Sequence, residues 1–395
     1  MQHLKIKATL PPPIGTIGRS FRVSYPRYGS GTVKLTPYGE YTLSTSGITE
    51  GAAKRMQEYK TAFNQVTMDM LHAYEAECRA YAGIHRKMVK VVSKEKFLKE
   101  LEALSPQSYS RQIFNLPKPT KGEVEDGLRE ELKFINFSRS AEEKIDETTF
   151  IREHLNHIIE TRGQAWQEAA DLFSKIEDAK EVKENNRYMT EYRVLYQQKK
   201  DFIEGDDEVV KKGLEQLCLS VQVSYNIQLS FSYEKSTHLL SVEIVVIDGL
   251  SVPMSKATIL SSGKISIKNK LVKEQIADRT NSAIGLIYFL SSHLYTVSPN
   301  IQWLQISLFE KDKQNPLLWV EFERNRFSKT RPLLVDVVSD ILVYPHIMKL
   351  KTKVDSVELC PMEVTAFNKD VRSQKNNLHK DASTDNNGTL FELKV

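Results

Sequence analysis

The chain has 395 residues, 40% of them hydrophobic and 27% charged, an ordinary globular composition with room for two or three domains. Its three cysteines, Cys78, Cys218 and Cys360, are odd in number and far apart, which argues against a disulfide framework or a cysteine zinc site and fits a reducing cytoplasm. The first ten residues lack the apolar core of a secretion signal, and the longest nearly apolar stretch, Ala283 to Val297, is too short and mixed to span a bilayer, so no membrane partner is expected.

The net charge of +4 is segregated along the chain. Residues 1–121 carry 19 Lys+Arg against 9 Asp+Glu, residues 122–219 carry 15 against 24, and the remainder 21 against 18. A basic front and an acidic middle can attract each other within or between chains, and the front can equally face nucleic acid or another anionic surface. Solvated helix faces with a drifting bias are the plain alternative.

Residues 1–47 alternate short β-like pieces with turn signals and predict a small β module. Arg19, Arg22, Arg27 and Lys34 interleave there with Phe21, Tyr25, Tyr28 and Tyr38, a mixture that can bind single-stranded nucleic acid by charge and stacking. The same composition also makes a β edge that docks on its own protein. Residues 48–120 read as a basic helical region with a linker. Thr49 is an N-cap candidate, and Met56, Tyr59, Phe63, Val66 and Met70 form an apolar stripe. A break is expected at Gly83, a second helix from Ser93 to Leu104, and an extended linker at 116–120.

Residues 121–219 read as an acidic helical region. Helices are expected near 123–136, 139–180 and 184–203, with Gly163 the main breaker and residues 204–207 capping a further helix. An α+β domain follows over 220–350. Its first strand, Gln222 to Tyr233, alternates strictly: Val223, Tyr225, Ile227, Leu229, Phe231 and Tyr233 on one face, and uncharged polar residues including Ser224, Asn226, Gln228 and Ser230 on the other. That polar face suits packing against another surface. Leu239 to Ile247 pairs with it as a hairpin, 263–267 is a third strand, and 271–294 is a helix apolar on nearly every side at its end and therefore buried. A second hairpin, 301–309 with 317–323, and a helix at 333–342 close the domain. Residues 351–395 read as a polar, disordered tail. The expected fold class is α+β, an antiparallel sheet packed on a long buried helix.

Several short motifs resemble those of a family of uncharacterised bacterial proteins. They are Phe21-Arg22-Val23-Ser24, Leu43-Ser44-Thr45-Ser46-Gly47-Ile48, Glu204-Gly205-Asp206, Pro253, Ser262-Gly263-Lys264-Ile265-Ser266, Ser298-Pro299 and Val320-Glu321-Phe322-Glu323-Arg324. The resemblance implies a short amino-terminal β module, an acidic helical linker and an α+β C-terminal domain. It implies no activity and no cofactor.

Catalytic sets are incomplete. The order helix, three strands, helix, strand resembles a nuclease fold that holds a metal with an Asp and a Glu-x-Lys, but only Asp248 is in place and residues 264–268 carry no carboxylate. His154, His157 and Glu160 share a helix face and can ligate a metal, or simply face solvent. Glu321 and Glu323 share a strand face and are expected in solvent beside Arg324 and Arg326. The leading expectation is a non-enzymatic cytoplasmic interaction protein, a scaffold or regulator that self-associates or binds a protein partner. A nucleic-acid-associated protein of a phage-defence or mobile-element system is the alternative, and a metal-dependent nuclease a third. No cofactor is expected.

Overall fold

The structure, a computed structural model, describes residues 2–24, 28–353 and 356–384. The fold is α+β. The chain divides into two compact units, a core unit of residues 1–100 and 200–395 and a helical unit of residues 101–199.

The core unit begins with β1 (Gln2–Ile6), β2 (Ile17–Val23), β3 (Gly29–Leu35) and β4 (Tyr41–Ser46), then α1 (Glu50–Ala53), α2 (Gln57–Tyr81) and α3 (Lys94–Glu102). Thr49 caps α1 by accepting from the Ala52 amide at 3.4 Å. β2, β3 and β4 form an antiparallel three-stranded sheet. Its inward face, Phe21, Val23, Val33 and Leu35, packs on the stripe of α2 that includes Ala62, Val66 and Met70. At Gly31 a Cβ would come within 2.6 Å of the Phe21 ring, so only glycine lets that ring reach the core.

β1 does not belong to this module. It pairs antiparallel with β5 (Ile227–Glu234), at the edge of the large sheet. Ile6 enters the main core there.

The helical unit contains α4 (Lys121–Phe137) and most of α5 (Glu147–Glu204), a single 58-residue helix. The helix runs through Gly163 without a break, because a lone glycine costs only about 1 kcal/mol against so long a helical context. Val124, Leu128 and Leu132 of α4 pack on Ile151 and Leu155 of α5. Thr120 and Glu123 make a reciprocal capping box at the start of α4. Gly205, at φ +65°, ends α5, and Asp206 caps α6 (Asp207–Ser220).

After α6 come β5, β6 (Leu239–Val246), β7 (Ser255–Ile259), β8 (Ile265–Asn269) and α7 (Val272–Val297). Then follow β9 (Trp303–Glu310), β10 (Pro316–Glu323), α8 (Arg324–Phe327), α9 (Val337–Ile341), β11 (His346–Lys353), β12 (Ser356–Cys360) and α10 (Val364–Thr384). The large sheet has the order β1-β5-β6-β9-β10-β11-β12. One face packs on α7.

Three expectations are corrected. The sheet is not wholly antiparallel, since β6 and β9 pair in parallel. The chain between them contains α7, and a helix-containing crossover returns a strand in the same direction. The expected third strand is not in this sheet either: β8 pairs with β7 in a separate hairpin, and Ile265 joins the core of the small module. Residues 356–384 of the tail are structured. β11 and β12 extend the sheet, and Phe367 of α10 is buried against Val245, Phe309 and Trp319 on its second face. Residues 385–395 lie outside the described residues.

Candidate functional site

The small sheet turns one face to α2 and the other to solvent. Across the outward face run three rows: Gly18, Lys34 and Thr42; Ser20, Thr32 and Ser44; Arg22, Ser30 and Ser46. The Ser20 and Thr32 hydroxyls hydrogen-bond at 3.1 Å. No carboxylate stands among these nine residues. Arg22 and Lys34 are exposed and four strand positions apart in register, about 13 Å. Tyr28 and Tyr38 are 88% and 86% exposed. Of the four expected contacts, the fold thus brings Arg22 and Lys34 to one open face. Arg19 is turned to the opposite side, where it pairs with Asp69 of α2. Phe21 is in the core, and Tyr25 and Arg27 lie outside the described residues.

In the helical unit α5 carries a second candidate surface. Ala169, Leu172, Ile176, Ala179, Val182, Asn186, Met189 and Arg193 recur at three and four and are all exposed. Leu172 is 59% and Val182 63% exposed. Other positions are occupied by the chain between α3 and α4. Glu177 is buried, and its Oε2 accepts from the Tyr109 hydroxyl at 2.9 Å and from the Gln112 amide at 3.0 Å. The Phe114 ring lies 5.7 Å from Trp166 and 5.4 Å from Phe173, and the Trp166 Nε1 donates to the Leu116 carbonyl. The stretch from Tyr109 to Leu116, which leads into the extended segment expected at 116–120, is therefore a strap along the helix. Lys180, the Gln112 amide and the Tyr109 hydroxyl hold the Glu177 carboxyl down at about 2. The aromatic residues Tyr109 and Phe114, with Ile113 and Leu116 beside them, were the available signal.

The catalytic candidates separate. Asp248 accepts from the Asn226 side chain at the end of β6, and the third strand that would complete a nuclease site lies in another sheet. The His154 ring packs on Phe150, and among the described residues no cluster of three or more His, Cys, Asp or Glu could hold a metal. Glu321 is buried rather than solvated, accepting from Gln305 at 2.6 Å. Arg324 is also buried, and its guanidinium donates to the carbonyls of Tyr295, Ser298 and Ile301 while its Nε donates to Val92. Burial draws it down to about 10. It fastens the end of α7 to the start of β9. No sequence pattern announced that role, since an arginine after a strand is common.

The polar face of the first long strand is not open. Ser224 donates to the Ala80 carbonyl at 3.0 Å, Asn226 accepts from the Ala8 amide at 2.9 Å, and Ser230 is buried. The chain's own segments occupy it. No helix among the described residues is long and apolar enough to cross a membrane. Comparison with protein-family models, curated proteins and solved structures returned no match to this chain.

Proposed function

We propose that this is a non-enzymatic interaction protein, a scaffold or regulator, that self-associates through the exposed row on α5. That row is the observation behind the reading. Large apolar side chains kept in water over several helical turns mark contact surfaces. Asp171 flanks the row near its amino-terminal end, and Arg193 stands about six turns on at the other. An antiparallel second copy sets each Asp171 against an Arg193, as a self-complementary two-fold interface requires. The three unpaired thiols favour a reducing, cytoplasmic setting. The short motifs favour a place among the uncharacterised bacterial proteins that the chain resembles.

Light scattering of the full chain tests the reading. The expected result is a mass that rises to a dimer with concentration, and a monomer for the triple variant Leu172→Glu, Ile176→Glu, Val182→Glu with unchanged circular dichroism. A wild-type monomer at high concentration refutes it.

A second reading rests on the open face of the small sheet, where Arg22 and Lys34 meet a hydroxyl-rich, carboxylate-free surface. It makes the protein nucleic-acid-associated. Binding to single-stranded DNA or RNA is then expected to weaken with salt, with Arg22→Glu and Lys34→Glu reducing the salt slope by about 1 each. Absence of binding at low salt removes this reading and leaves the first untouched.

A further inference from the structure

Cys78 and Lys270 are 192 residues apart and meet inside the core unit. Lys270 Nζ donates to Cys78 Sγ at 3.2 Å and to Asp278 Oδ2 at 2.6 Å. The last turn of α2 brings the sulfur, and the junction between β8 and α7 brings the amine. Cys78 is half-buried, within reach of a small oxidant, while Lys270 is only 7% exposed. Packing therefore fixes the nitrogen on the sulfur instead of leaving it to wander in solvent. Among the described residues no lysine donates to either of the other thiols. Burial pushes the Cys218 thiol up to about 11, and Cys360 is buried with its Sγ turned to the Glu358 carbonyl.

We propose that Cys78 and Lys270 form a sulfenamide cross-link in response to hydrogen peroxide. The thiolate is the form of cysteine that attacks peroxide, and the Lys270 ammonium is its counter-charge. In the first step an S–O bond forms and the O–O bond breaks. Sulfur loses two electrons to the peroxide oxygens, and one water leaves with the thiol proton. Lys270 then releases one proton to solvent by way of Asp278, and its free amine attacks the sulfenic sulfur. An S–N bond forms, the S–OH bond breaks, and the departing hydroxide takes the remaining extra proton from nitrogen as a second water. The sum is thiol, amine and one peroxide giving sulfenamide and two waters. Condensation of a sulfenic acid with a nitrogen is a reversible stage of cysteine oxidation, undone by thiols.

The experiment treats the full chain with a small excess of hydrogen peroxide, then maps peptides by mass spectrometry. The expected product is a Cys78 peptide joined to a Lys270 peptide with the loss of two hydrogens, reversed by dithiothreitol. Cys78 is expected to be consumed at least tenfold faster than Cys218 or Cys360. The link is expected to vanish in Lys270→Met, with Cys78 passing on to sulfinic acid. Should that variant fail to fold, Lys270→Arg keeps the buried cation and must abolish the link as well. Oxidation of Cys78 to sulfinic acid with Lys270 unmodified in the wild type overturns the proposal, as does equal consumption of all three thiols.

Discussion

α7 and α5 are both long, regular helices, and almost nothing else about them is alike. α7 is buried on every side from Ala283 to Ser292, beneath the large sheet. α5 is more than twice as long, and among its 58 residues only Ile151, Leu155, Glu177 and Ile203 are buried. α7 is held by tertiary packing. α5 is held by helix propensity, by the docking of α4 and the strap, and by ion pairs along its surface such as Arg187 with Glu184 and with Glu191. The same backbone hydrogen bonds thus rest on two different sources of stability. Only the second leaves large apolar side chains free for another molecule.

The contrast is sharpest in core truncations. Ile287→Ala empties a fully buried site on α7 and is expected to cost about 2–5 kcal/mol, read as a lower midpoint of the core unit's denaturant unfolding. Leu172→Ala on α5 is expected to stay within about 0.5 kcal/mol. Equal effects at the two sites would erase the distinction.

The end of α5 is the exception that belongs to the core unit. At Gly205 a Cβ would come within 2.4 Å of the Tyr233 hydroxyl and 2.7 Å of Asn300 Cβ, in a left-handed conformation. Gly205→Ala is expected to cost at least about 1 kcal/mol by the same measurement.

The strap answers to pH. Glu177 titrates at about 2 in the folded protein against an ordinary 4.5, so its stabilising contribution is complete above pH 4.5 and is lost as pH falls toward 2. Hydrogen exchange of the Gln112 amide is expected to stay slow at pH 5 and to rise over that interval. In Glu177→Gln the acid-dependent rise should disappear. A comparably small effect is expected at Arg187→Ala, about 0.3–0.5 kcal/mol for an exposed pair, in thermal unfolding of the helical unit.

What the sequence disclosed follows the range of the forces involved. Burial of α7 was legible because its apolar residues leave no polar face. The strand at β5 was legible from strict alternation, and the ends at Thr49 and Asp206 from local capping chemistry. Pairing across distance was not. Nothing local to Gln2–Ile6 says that these residues join β5, and nothing in β6 or β9 announces that they run in parallel. Residues 351–384 are polar enough to suggest disorder, yet the single side chain of Phe367 finds an apolar hollow against Trp319, and a helix settles around it. At the candidate surface, basic and aromatic residues were visible in sequence. Their sorting was not, because strand register decides that Arg22 and Lys34 share the open face while Arg19 meets Asp69.

The pairing of β1 with β5 also constrains how the protein is made. Ala8 must wait for Asn226, 218 residues later, before its amide finds an acceptor. At about 5–20 residues per second that is a delay of roughly 10–45 s on the ribosome. Through that interval β1 is a strand without a partner, while the small module and α2 hold by residue 81 every buried residue of their core except Ile265. A ribosome stalled shortly after α2 should therefore hold a folded module behind an unpaired leading segment, and that segment is the natural place for a chaperone to engage the growing chain.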